Sequence, residues 1–235
     1  QLVKQLLSFA QLEDPQKEVI DATVMISRAK ESLVASLQEN QSLEFNLLED
    51  LPKVYVDPSQ LMRIVSCLIR NAIDALPNGG KIELFTDTIN IDRESPHYEV
   101  PYGSYVRIGI RDSGVGMDAE TKRRCFEPFF TTKHLDASTG LSAAGAGLGL
   151  AAAYALARKN GGRLVVDSRL GYGSLFTIYV PIAQLSEVKE GLSRLIEKGT
   201  EETSPRTVSD IVRSINGNTE DDGAIEVDDE GPNFK

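Results

Sequence analysis

The sequence predicts an α/β sandwich in which a mixed β-sheet is covered by helices on one face. Three observations carry this reading: a capped amphipathic helix after Asp57, two alternating apolar segments behind it, and a glycine-rich stretch that leads into a further helix and a hairpin. The order helices, strands, helix, strands, helix, hairpin gives the sheet one apolar face that the helices must cover.

In QLVKQLLSFA, Leu2, Leu6, Leu7 and Phe9 follow helical spacing with no capping residue before them, so the chain is expected to open in mid-helix, as a piece of a longer protein does. A second helix is expected from about Asp21 to Gln38. LEFNLLED and VYV then read as short strands split at Leu51-Pro52. In the next helix, Asp57-Pro58-Ser59-Gln60 supplies an N-cap acid, a proline at the first helical position and Gln at the third, the pattern of a capping box. Leu61, Ile64, Val65, Leu68, Ile69, Ala72, Ile73 and Leu76 form its apolar stripe, and Pro77-Asn78-Gly79-Gly80 ends it. Cys67, Asn71 and Asp74 fall together on another face, although Asn and Asp are poor interior helix formers.

Strands are expected from about Lys81 to Ile91 and from Tyr105 to Arg111, with a polar connection over Asp92 to Ser104. Arg163 to Ser168 and Ser174 to Val180 read as a hairpin around RLGYG. Beyond Pro181, Val188, Leu192, Leu195 and Ile196, and then Val208, Ile211, Val212 and Ile215, have the spacing of two amphipathic helices. TEDDGAIEVDDEGPNFK holds too little apolar content to pack.

Composition excludes several classes. The 235 residues are 41% hydrophobic and 26% charged, as in a water-soluble globular chain. No stretch reaches the roughly 18 consecutive apolar residues of a membrane span, and no basic-then-apolar signal opens the chain. A cytoplasmic segment without membrane contact is expected, with a membrane tether elsewhere in a full-length protein left open. Cys67 and Cys125 form no C-x-x-C and suggest neither a disulfide framework nor a zinc site. Of the net charge of −10, most lies in residues 185–235, which carry 13 acidic against 6 basic residues. No basic patch suggests a nucleic acid partner.

GAGLGL, with Gly145, Gly147 and Gly149, precedes an Ala-rich helix. A dinucleotide fingerprint would have to follow a buried strand, and STGLSAA precedes instead. An earlier pair, in RDSGVGM, sets Asp112 at a strand terminus before Gly114 and Gly116. A carboxylate there can accept a bond from the exocyclic amine of adenine, whereas guanine would oppose acceptor to acceptor; the same residues also suit a simple turn. Asn71 offers a hard amide oxygen for Mg²⁺ shared with phosphates, and the helix that begins after GAGLG offers free N–H groups to phosphate.

LIRNAIDAL, DSGVGM, FEPFF and GAGLGL, in that order across roughly Leu43 to Pro181, resemble the N-box, first glycine box, F-box and second glycine box of the ATP-binding catalytic domain of sensor histidine kinases, within the GHKL ATPase superfamily. FEPFFTTK is nearest to the nitrogen-regulatory type. The resemblance implies a Bergerat-type two-layer sandwich. Residues 1–40 would be the end of a dimerisation helix and a connecting helix, residues 41–184 the catalytic domain, and residues 185–235 an acidic extension. It implies ATP and Mg²⁺ as cofactors, with Asn71 on the metal, Asp112 on the adenine amine, Gly114 and Gly116 shaping the base pocket, and Thr177 beneath the adenine. Gly145, Gly147 and Gly149 would hinge a lid, Lys133 would reach the terminal phosphate, and Phe126, Phe129 and Phe130 would anchor the lid. Asp74, Ala75, Met117, Leu148 and Leu150 would complete the pocket.

The implied activity is transfer of the γ-phosphate of ATP to a histidine outside this chain, on a dimerisation domain upstream. The implied partners are a response regulator receiver domain and a second copy of the full-length protein, in a two-component phosphorelay. His97 and His134 lack the flanking sequence of a phosphoacceptor. Two departures stand out. Cys67 occupies a position where these kinases carry Asn or His and hydrolysing relatives carry Glu, and a thiol is a poor base and a poor Mg²⁺ ligand. The lid, Thr131 to Ala144, is long and small-residue-rich. A catalytically weakened nucleotide-binding scaffold and a GHKL-type ATPase are the alternative readings.

Overall fold

The computed structural model of the chain describes residues 14–94, 99–132 and 147–189. Its elements are β1 (Glu18–Ile20), α1 (Ala22–Val34), β2 (Gln41–Leu47), β3 (Val54–Val56), α2 (Pro58–Asp74), β4 (Gly80–Ile91), β5 (Gly103–Asp112), α3 (Ala119–Arg124), α4 (Gly149–Lys159), β6 (Arg163–Arg169) and β7 (Gly173–Pro181). The main sheet has the order β2-β4-β5-β7-β6, with β2 parallel to β4 and the other pairs antiparallel, so it is mixed as expected.

Alternation sorts the sheet into two faces. Ile82, Leu84, Val106, Ile108, Ile110, Leu164, Val166, Phe176, Ile178 and Val180 are buried in one cluster with Ile64, Val65, Leu68, Ile69 and Ala72 of α2 and Leu156 of α4. Each buried aliphatic side chain contributes about 1.5–3 kcal/mol by leaving water. The reverse face carries ion pairs, Arg107 on Asp87 and Arg111 on Glu83, beside a small apolar cluster of Ile91, Val100, Tyr105 and Tyr179.

The helix predicted to reach Gln38 stops at Val34, and its Ala22, Ile26 and Leu33 pack in the same core as the sheet. Two elements have no counterpart in the sequence reading. β1 pairs antiparallel with β3 as a separate two-stranded sheet. The short α3 is capped by Asp118, whose Oδ1 accepts from the Thr121 N–H at 2.8 Å. The expected opening helix and nearly all of the extension lie outside the described residues; residues 185–189 are helical, with Val188 buried.

The capping box at the start of α2 is half as predicted. Asp57 Oδ1 accepts from the Gln60 N–H at 3.0 Å and from Ser59 Oγ at 2.7 Å, and Oδ2 accepts from the Gln16 N–H at 2.8 Å. Burial works against the charge, but these bonds prevail and hold the Asp57 carboxyl below its ordinary range. The return bond does not come from Gln60. The Asp57 N–H donates to Asn160 Oδ1 at 2.8 Å, while Asn160 Nδ2 donates to Gln60 Oε1 at 2.9 Å and to the Leu156 carbonyl at 3.0 Å. One buried amide at the end of α4 thus closes the start of α2.

Asn160→Ala is expected to lower unfolding stability by roughly 1–3 kcal/mol, because it strands the buried Asp57 N–H and removes the bond to Gln60 Oε1. Urea unfolding of the variant against the parent chain checks this, and an unchanged midpoint would refute it.

Candidate functional site

Asp112 ends β5 with its side chain turned to the helix-covered face, where it is only 3% exposed. Oδ1 accepts from the Gly114 N–H at 2.8 Å and from the Ser174 N–H at 3.3 Å. Oδ2 has no partner, and among the described residues it is the one buried side-chain polar atom left so. Burial pushes the Asp112 carboxyl above its ordinary value, against the pull of the two backbone bonds.

The loop after Asp112 is clamped from both sides. The Val115 N–H donates to the Ala75 carbonyl at the end of α2 at 3.1 Å, and the Gly171 N–H in the β6–β7 turn donates to the Val115 carbonyl at 2.7 Å. A side chain at Gly114 would collide with the Ala75 carbonyl, and one at Gly116, which sits at φ 65°, with that of Arg169. These glycines therefore serve close backbone approach more than bending. The Met117 N–H donates to Ser168 Oγ at 2.9 Å, which in turn lies 3.0 Å from Ser174 Oγ.

Above this floor opens a cavity of about 350 Å³. Its α2 wall consists of Cys67, Arg70, Asn71 and Asp74, at i, i+3, i+4 and i+7, followed by Ala75. Val115, Gly116, Met117 and Ser174 line the base end, and Thr121, Cys125, Phe130, Thr131 and Thr132 the side. Gly147, Gly149 and Leu150 come from the start of α4. No side chain caps that helix, so its first N–H groups keep their capacity to bind an anion. A Cβ on Gly149 would lie 3.2 Å from Cys67 Sγ, which brings the helix start against the α2 wall.

Phe126 stacks on Tyr154 with centroids 4.9 Å apart and meets Phe176 edge-on. Arg124 lies over the Phe130 ring at 4.4 Å. The Phe129 N–H donates to the Gly147 carbonyl at 3.0 Å, joining this turn to the segment before α4. Cys125 Sγ donates to the Lys122 carbonyl, and burial pushes this thiol up to about 11.

Asn71, Asp74, Ala75, Gly116, Met117, Phe130, Gly147, Gly149 and Leu150 all line the cavity. Asp112 and Gly114 stand behind that lining, Asp112 bonded to Ser174 and to Gly114, and Leu148 is buried at the N-cap of α4. Lys133 and Gly145 lie outside the described residues, as do His97 and His134. Thr177 is corrected: it pairs with Gly109 and Val165, on the face of the sheet opposite Phe176 and Ile178, and does not line the cavity. Ser174, three positions earlier on β7 and so on the other face, stands beside Asp112. Phe129 is 56% exposed and contributes its backbone, not a packed ring. Arg70 escapes the sequence reading although the spacing that gathers Cys67, Asn71 and Asp74 includes it. Ser174 escapes it too, and the signal that finds it is its strand parity, shared with the core-facing Phe176.

A buried acid, an open helix start and an amide-bearing wall around one cavity are matched by kinship. Residues 56–184 match the family described as histidine kinase-, DNA gyrase B-, and HSP90-like ATPase. The chain belongs to this family. Sensor kinase CckA of Brucella abortus (strain 2308) is 32% identical over 216 residues, covering 88% of this chain and 22% of that protein. Sporulation kinase E of Bacillus subtilis (strain 168) is 30% identical over 148 residues, covering 63% of this chain and 17% of that protein. The chain thus spans about a fifth of the length of these curated relatives. The crystal structure of full-length ShkA in complex with AMPPNP superposes with a TM-score of 0.63 at 25% identity, over 78% of this chain and 35% of that one.

The raised Asp112 pKa fixes a sign for this ATPase-family domain. The folded state holds the Asp112 proton more tightly than the unfolded chain, so stability falls as pH rises from about 3.8 through the raised folded value, and the penalty is complete above it. Asp112→Asn, which carries no charge, is expected to be at least as stable as the parent at pH 8 and to lose this part of the acid-range slope. Urea unfolding at several pH values between 4 and 8 measures it.

Proposed function

We propose that the cavity binds Mg·ATP and that the chain is the ATP-binding catalytic region of a two-component sensor histidine kinase. The observation that carries the base assignment is the buried, unpartnered Oδ2 of Asp112. An adenine amine supplies the donor that atom lacks, and guanine presents an acceptor there and is refused. Ser174 and Gly114 keep Oδ1 occupied, so the free oxygen stays turned toward the base.

The phosphates extend from the base end toward the start of α4, whose uncapped N–H groups and dipole favour them. Asn71 fits a magnesium ion shared with those phosphates, since a neutral amide oxygen is a hard donor and no cluster of three acidic, histidine or cysteine groups exists among the described residues to hold a metal alone. When bound, magnesium neutralises charge on the transferring phosphoryl group. The chain's own residues position: Asp112 anchors the base, the α2 wall sets the depth of the nucleotide, and Lys133 contacts the terminal phosphate. Cys67 on that wall is no general base, so activation of water is weak and transfer to a histidine prevails over hydrolysis.

The acceptor histidine belongs to a dimerisation domain upstream in the full-length protein, which acts as a homodimer, and the phosphoryl group passes on to a receiver domain. Cytoplasmic placement is part of the same reading.

Calorimetric titration with ADP and GDP in Mg²⁺ tests the base site. ADP is expected to bind and GDP not, with Asp112→Asn weakening ADP at least ~100-fold, the scale on which a mispaired buried polar group discriminates. Supplying the acceptor domain in trans with labelled ATP is expected to label that domain and not this chain, and Asn71→Ala should reduce the labelling at least ~100-fold. Label on this chain, or rapid multiple-turnover phosphate release, would contradict the reading.

A further inference from the structure

Two formally charged residues line the cavity among those described, Asp74 and Arg70, and the buried acid Asp112 lies behind the lining residue Ser174. A nucleoside di- or triphosphate brings several negative charges into this space, so the described walls need a cation where the phosphates run. Arg70 is the one they supply. Its side chain is exposed at the cavity, and among the described residues it forms no ion pair, whereas Lys81, Arg107, Arg111 and Arg124 lie against carboxylates.

Its place on α2 fits the phosphates better than the base. The base end is marked by Ala75, which bonds the loop behind Asp112 and stands five residues beyond Arg70. The anion end is marked by Cys67, which meets Gly149 at the start of α4. Arg70 lies one turn from Cys67 and next to Asn71, on the same helical face. An anion held at the open start of α4 is therefore within reach of a long guanidinium arm from the opposite wall, and a planar fork of donors matches phosphate oxygens two at a time.

We propose that Arg70 is a phosphate-binding residue of this cavity, contacting the phosphates of a nucleoside di- or triphosphate from the α2 wall while the start of α4 contacts them from the other side. This rests on the nucleotide reading of the cavity. It assigns to α2 a double role, since consecutive residues then serve the metal and the phosphates.

The test titrates adenosine, ADP and ATP calorimetrically into the wild-type chain, Arg70→Ala and Arg70→Lys, with circular dichroism to verify that the variants fold. Arg70→Ala is expected to weaken ATP and ADP at least about tenfold and adenosine less than about twofold, since a hydrogen bond to a charged group is worth roughly that much. Arg70→Lys should recover part of the loss, because it keeps the charge without the fork, and the salt dependence of ATP binding should be shallower in Arg70→Ala. An equal loss for all three ligands, the mark of a structural role, overturns the assignment, as does no loss for any. If adenosine, ADP and ATP all fail to bind the wild-type chain, the nucleotide reading falls first and this one with it, a result separable from normal wild-type binding with an indifferent Arg70→Ala.

Discussion

The cavity depends on one buried carboxylate held by two backbone N–H groups. Asp112 can keep a partnerless oxygen in an apolar surrounding only because Gly114 and Ser174 hold the other oxygen in place. Those two donors belong to segments far apart in sequence, the loop after β5 and the first residues of β7. Their placement in turn requires the loop to be pressed between the end of α2 and the β6–β7 turn, at distances that admit no side chain at Gly114 or Gly116. The unpaired acid costs stability for as long as no donor reaches it.

The sheet and α2 carry the rest. The ten core-facing strand residues and the apolar stripe of α2 form one buried cluster, which fixes the rotation of α2 about its axis. With the apolar side committed to the sheet, the stripe of Cys67, Arg70, Asn71 and Asp74 has one direction left, toward the space bounded by the start of α4. The poor helix formers also sit late in the helix, Asn71 in its last turn and Asp74 as its final residue. Asn and Asp weaken α2 locally, and tertiary packing outweighs their propensity.

Much of this is legible in the sequence because it is periodic or local. The apolar stripe, the Asp57 cap, the alternation in β4 and β5 and the ordered glycine motifs each lie within one segment. What escapes is long-range. The return bond to Asp57 comes from Asn160, not from the Gln60 that the local pattern nominates. β1 is three residues long, too short for alternation to register, and exists through its pairing with β3. Thr177 is misplaced by a single step of strand parity, which turns a side chain to the opposite face, while Ser174 on the correct parity neighbours the acid. The glycines are found, but their main service, letting carbonyls of distant segments come close, is visible only with those segments in place.

The Asn160 clasp also bears on the order in which the molecule assembles. Its bonds to Asp57 and Gln60 close spans of 103 and 100 residues. A chain emerging from the ribosome has the whole of α2 long before it has the amide that completes the start of that helix. β5, the middle strand of the sheet, likewise waits for β7 to cover its second edge. High contact order of this kind slows folding, because loop closure must be paid for before the distant contacts form. Until residue 160 arrives, the first half of the domain holds an apolar helix stripe and half a sheet without their final partners, and the last described segments to be synthesised are the ones that seal it.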